Sequence, residues 1–197
     1  MNRRPRLALA ILVLAAVAAC ATAEQTRYYR LTAEGGPGPR AAASVRNQPL
    51  VTIGPVQIPS HLDRPQIVNT EASNLSTMSE FDRWVEPLPR GLTRVLVENL
   101  TRSRPDYLIA SYDGSGPGAV EYQVVVDVST LELQRGRAVS MSAFWRIVQQ
   151  RTLETTAQGR TTVEEPVSGA GIDALAAGLS RAAGRLSADI AAGLPAR

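Results

Sequence analysis

Between Val120 and Leu133 the chain alternates apolar and polar positions over an unusually long stretch. Val120, Tyr122, Val124, Val126 and Val128 form one row, with Glu121, Gln123, Val125 and Asp127 between them. A period of two places such a row on one face of a half-buried strand. The phase then slips by one, and Leu131 and Leu133 continue the apolar row. An extra residue inside a strand is a β-bulge, which the slip puts near Ser129–Thr130. Arg135-Gly136 supplies a turn, and Val139, Met141, Ala143, Trp145 and Ile147 alternate again. The pattern predicts a long antiparallel hairpin. Thr155 to Glu165 predicts one more strand.

Two stretches carry the longer period of a helix. Leu88, Leu92, Val95, Leu96, Asn99 and Leu100 fall on one stripe. Pro87 and Pro89 suit the first turn of that helix, and Pro105 lies beyond its end. Ser168 to Leu194 predicts a second helix, with Ile172, Leu175, Leu179, Ala183, Leu186 and Ile190 in line. Alanine on its other faces suits close approach to a sheet or to a neighbouring subunit.

Shorter signals fill the N-terminal half. Arg27 to Leu31 predicts a first short strand, its paired tyrosines suiting a sheet. Pro49 to Pro59 predicts another, in which Gly54-Pro55 points to a bulge or an edge position. His61 to Pro65 is a turn, and Gln66–Thr70 and Asn74–Ser79 form a possible hairpin. Phe81-Asp82-Arg83-Trp84 leads into the first helix. The glycines and prolines of residues 34–48 mark a flexible loop. The sum is an α+β domain over residues 27–197, a mostly antiparallel or mixed sheet with two main helices packed on it.

The N-terminus follows other rules. Arg3, Arg4 and Arg6 precede an unbroken apolar run from Leu7 to Ala19, which ends at Cys20. A spanning helix needs about 20 apolar residues, so this run fits a signal segment instead. Val17-Ala18-Ala19-Cys20 has the small-residue pattern of a lipoprotein signal, with cleavage before Cys20. The cysteine sulfur takes a diacylglycerol, and the freed amine takes a further acyl chain. Several chains on one residue hold a protein to a membrane far more firmly than one. Residues 1–19 are thus a signal peptide and 20–26 a tether. Ala21, in place of aspartate, directs the protein to the outer membrane, facing the periplasm, with the inner membrane as the other destination.

Removing the signal changes the charge. The whole chain has 21 basic and 18 acidic residues, and the signal takes away three arginines and no acid. The remainder is formally neutral, without the basic footprint that nucleic-acid binding requires. Cys20 is the single cysteine, so no intramolecular disulfide is expected. His61, the single histidine, sits two residues from Asp63 in a turn, whereas a triad needs base, nucleophile and acid to converge in space. It reads as a surface histidine. The acids show no zinc or calcium spacing. Gly35-Gly36-Pro37-Gly38 lacks a Walker lysine. No catalytic residue, metal or soluble cofactor is expected, and the chain reads as a non-enzyme.

Several ordered segments carry a resemblance: the lipobox, TRYYRL, VTIGPVQIPSHLDRPQIV and EFDRWVEPLPRGLTRVLVENL. Together they resemble the ABC-type transport auxiliary lipoprotein family, and within it the paraquat-inducible protein C group. The resemblance covers about residues 27–190. It implies a lipoprotein working beside an MCE-domain substrate-binding protein, a permease and an ATPase, in a system moving lipids or other apolar molecules between the two membranes. Asp63, Arg64, Arg83 and Trp84 are the candidate partner-binding residues. Their local reading is a turn-stabilising ion pair and a tryptophan covering the start of the helix. A homo-oligomer is compatible with the sequence. A structural lipoprotein of outer-membrane assembly and a periplasmic lipid carrier remain as alternatives.

Overall fold

The computed structural model describes residues 24–34, 48–72, 74–112 and 119–196. The signal segment, Cys20 and the central part of the loop expected at 34–48 lie outside these residues. Eight strands and two helices follow in the order β1 (Arg27–Tyr29), β2 (Leu50–Gln57), a 3-10 turn (Ser60–Leu62), β3 (Gln66–Ala72), β4 (Leu75–Trp84) and α1 (Leu88–Ser103). Then come β5 (Leu108–Ser111), β6 (Val120–Gln134), β7 (Ala138–Gln149), β8 (Glu154–Pro166) and α2 (Ile172–Gly193). The strands make a five-stranded sheet in the order β5-β2-β6-β7-β8 and a three-stranded sheet in the order β1-β4-β3. The α+β class expected from the sequence is the class observed.

The long hairpin forms as its pattern dictates. β6 and β7 pair antiparallel from Tyr122–Gln149 to Gln134–Ala138, and the register shifts between Val128 and Thr130. That shift is the bulge, and it keeps Val124, Val126, Val128, Leu131 and Leu133 all buried. β8 pairs antiparallel with β7. Both helices lie on the buried face of this sheet, α1 over β2 and β5 and α2 over β7 and β8. Leu96, Leu175, Leu179 and Ile190 join Val124, Val139 and Ile147 in one contiguous core, which also takes in Ile67 and Trp84 from the small sheet.

Three local expectations need correction. β2 is not an edge strand: β5, a four-residue strand unmarked in the sequence pattern, pairs parallel along its outer side as far as Ile53–Ser111. Pro55 lies just beyond that last pairing, where no ladder partner on that side is required. The bulge reading of Gly54-Pro55 does hold, since the register with β6 shifts between Ile53 and Val56 and Gly54 has φ +126°. Phe81 to Trp84 is the end of β4, with β1 pairing parallel to it. α2 begins at Ile172 and not at Ser168, because Gly169 has φ +106° and Gly171 is extended.

Candidate functional site

The end of the small sheet and the turn that leads into it carry the residues singled out from the sequence. The 3-10 turn delivers Asp63, Arg64 and Pro65 to the end of β4, where the Trp84 amide donates to the Pro65 carbonyl at 2.8 Å. Gln66 of β3 pairs with Arg83 of β4. Arg64 points its Nη1 at Met78 Sδ, 2.7 Å away, and forms no ion pair with Asp63. The Nε atoms of Arg64 and Arg83 are both buried without a hydrogen-bond partner. Asp63 is exposed, and Tyr28 and Met78 stand 63% and 59% exposed on the same small sheet. Trp84 is 6% exposed and belongs to the core. Burial makes its ring a structural element and not a surface for a partner. His61 is exposed in the 3-10 turn.

One residue of this sheet was not anticipated. Asp82 is 3% exposed, yet carries a carboxylate. It accepts hydrogen bonds from Arg27 Nε at 2.8 Å, the Tyr29 hydroxyl at 3.0 Å and Ser79 Oγ at 2.6 Å. Arg135, in the β6–β7 turn, approaches its other oxygen at 3.8 Å. Burial pushes the Asp82 pKa up, but the bonds from Ser79, Tyr29 and Arg27, with the Arg27 charge, outweigh it and hold the carboxyl below its ordinary range. The Tyr29 hydroxyl is pushed up by burial and by its bond to Asp82. The hydrogen bond to Asp82 raises Arg27. A buried charge persists only when its lone pairs are so occupied.

Beyond its contact with Asp82, the segment from Tyr29 to Glu34 is laid across both helices as a strap. The Val85 amide donates to the Tyr29 carbonyl at 2.8 Å. Arg94 of α1, held by Glu86 and Glu98, donates Nη2 to the Leu31 carbonyl at 2.8 Å. The Thr32 amide donates to Ser180 Oγ of α2, and the Glu34 amide to Asn99 Oδ1 of α1, each at 3.0 Å. Arg102 closes the series on the Glu34 carbonyl at 2.7 Å. Asn99 also donates to Ser187 Oγ at 3.2 Å, linking the two helices beneath the strap. The groove beside it, about 590 Å³, has a mostly apolar lining edged by charged groups including Glu34, Arg102, Glu165, Arg181 and Arg185. Polar residues set into apolar helix stripes were the available sequence signal. Asn99 falls within the stripe as read, whereas Ser180 and Ser187 were passed over.

Residues 29–191 match the model of the ABC-type transport auxiliary lipoprotein component family. The chain belongs to that family. Membership makes it an auxiliary lipoprotein of ABC-type transport, and a lipoprotein of this family is membrane-anchored and periplasmic. A search of curated proteins returns no match. Among solved structures, an uncharacterized protein superimposes with a TM-score of 0.70 at 20% identity, covering 86% of this chain and 98% of its own. A protein from Xanthomonas campestris gives 0.66 at 18% identity, covering 84% and 93%. Identities this low establish a shared fold. Among the described residues no helix is long and apolar enough to cross a membrane.

Proposed function

We propose that this family member is the membrane-anchored docking subunit of an MCE-type ABC transport system for lipids or other apolar molecules. It would work between the inner and outer membranes, from the periplasmic face of the outer membrane. Cys20 would carry the diacylglycerol and the N-acyl chain, and residues 20–26 would be the tether. The observation that carries the reading is the strap. Directly after that tether, residues 27–34 are fastened to Asp82, to α1 and to α2 by side-chain bonds, so the folded domain begins within a few residues of the proposed anchor. A domain that begins this close to its anchor would be held at the membrane, which suits a docking subunit better than a diffusing carrier.

The docking surface we assign is the corner of the small sheet. Arg64 and Arg83 have no carboxylate partner among the described residues, and Tyr28 and Met78 add exposed apolar area beside them. Arginines with aromatic and methionine neighbours are the composition of an interface core. The partners would be the MCE-domain substrate-binding protein, with its permease and ATPase, and no nucleic acid. The role is non-catalytic, without metal or cofactor. Outer-membrane assembly is the remaining alternative.

The test is capture of the intact lipoprotein from detergent-solubilised envelopes, followed by mass spectrometry. Recovery of an MCE-domain protein with its permease or ATPase is the expected result. Recovery of outer-membrane assembly factors, or of lipid alone, would overturn the reading.

A further inference from the structure

The outer edge of the five-stranded sheet is long, regular and open. β8 is the last strand in the sheet and pairs only with β7. From Ala157–Ile147 to Pro166–Ala138 the β8–β7 register runs without a shift, the single irregularity falling before Ala157. Residues 158–165 therefore form a regular edge with no further strand beside it among the described residues, and at its end the Pro166 carbonyl accepts from Arg181 at 2.7 Å. Natural edges are usually blunted by lysine, proline, a bulge or brevity. Here proline appears only at the end, at Pro166.

The charges along this edge are arranged about a centre. Arg160, Thr162 and Glu164 are all exposed and, two apart, share the outward face. In the β7 ladder Arg160 stands opposite Phe144 and Glu164 opposite Ser140, neither of which carries a charge. Among the described residues neither Arg160 nor Glu164 forms an ion pair, whereas Glu165, on the inward face, is held by Arg181 and Arg185. Two opposite, unused charges thus lie symmetrically on either side of Thr162.

We infer that β8 is a homodimerisation edge, pairing antiparallel with β8 of a second copy about a twofold axis through Thr162. That register sets Arg160 opposite Glu164 of the second copy, and Glu164 opposite its Arg160. Thr162 meets its own counterpart, and Gln158 meets Pro166, where the ladder ends. Directly opposed residues of an antiparallel pair share a face and lie within side-chain reach. The pattern complements itself, which is the requirement of an isologous interface and selects a second copy over an unrelated strand. The result is one continuous sheet through both protomers, with α2, which lies over β7 and β8, the helix nearest the joint.

Disulfide capture in the full-length anchored protein tests the register. Thr162→Cys, Arg160→Cys and Glu164→Cys are made singly, and envelopes are oxidised and run on non-reducing gels. The unsubstituted chain, with Cys20 alone, sets the background. Only the residue on the axis meets its own copy, so Thr162→Cys should give at least about five times the disulfide dimer of either neighbour. This expectation follows from the narrow Cα separation a disulfide tolerates. Co-expressed Arg160→Cys and Glu164→Cys chains should cross-link to each other. Adding Arg160→Glu to Thr162→Cys should reduce the dimer several-fold, and adding Glu164→Arg as well should restore it. Dimer at background level for Thr162→Cys, equal dimer at all three positions, or failure of the charge reversal to rescue would each overturn the inference.

Discussion

Asp82 shows how much a single buried charge can organise. Its partners come from β1, from β4 itself and from the β6–β7 turn, so it joins three parts of the chain that are distant in sequence. Hydrogen bonds to a charged group contribute about 1.5–3 kcal/mol each when broken singly. Asp82→Asn should lower stability by about 2 kcal/mol, read as a shift of the urea midpoint with unchanged slope. The pH dependence has a definite sign. The folded-state pKa lies below the ordinary value, so the stabilisation is complete above the ordinary carboxylate range. It is lost as pH falls through that range towards the folded value. The wild-type chain should therefore lose more stability than Asp82→Asn on going from neutral pH to about pH 3. Equal losses would show that Asp82 is not the group responsible. Nothing in the sequence flagged this residue, because its Arg27 partner lies 55 positions away and local pattern carries no information at that range. Arg64 and Arg83 were legible as candidates because they lie in the segments that carry the family resemblance. The burial of Trp84 was not, for it depends on β1 and on Pro65.

At the scale of elements, the sequence is most readable where one face of a strand is buried. The β6–β7 hairpin was predicted down to its bulge, because the slip in apolar phase is itself the bulge. β5 was missed for the converse reason: four residues cannot display a period. Two element contacts rest on side chains that the pattern did not reveal. Arg104, just past α1, donates to the Ala191, Leu194 and Pro195 carbonyls and pairs with Asp106 at 2.6 Å. It satisfies the free carbonyls at the C-terminus of α2 and lies over the Tyr107 ring. Arg104→Ala should lower stability by about 2 kcal/mol, and Arg104→Lys should recover only part of that, since a lysine lacks the planar fork. Calorimetric melting of the three proteins checks the order. Gly159 is constrained differently: a Cβ there would stand 2.6 Å from Trp145 Cζ2. The indole is also held by its Nε1–H bond to Thr161 and abuts Gly193. Gly159→Ala should therefore cost about 1–3 kcal/mol, the range for overpacking, where an exposed strand glycine would gain from alanine. An unchanged or raised Tm would contradict that packing.

For the molecule as a whole, the division into a large helix-covered sheet and a small sheet separates support from contact. The large sheet and its helices form the core, whose apolar periodicity the sequence announced. The small sheet depends on β1 pairing parallel to β4, an arrangement no local signal encodes, and it holds the candidate docking corner. The strap joins the two. If that corner is the docking surface, Arg83→Glu should abolish partner capture while leaving the melting curve within a degree or two, because Arg83 makes no ion pair among the described residues. Loss of both capture and stability would place Arg83 in the fold instead. The central claim is most directly tested by binding between purified components. The full-length lipoprotein in detergent is immobilised and titrated with the MCE-domain protein of the same organism. Saturable binding, weakened at least tenfold by Arg83→Glu, is the predicted result. Absence of saturable binding by the wild-type protein would contradict the docking role.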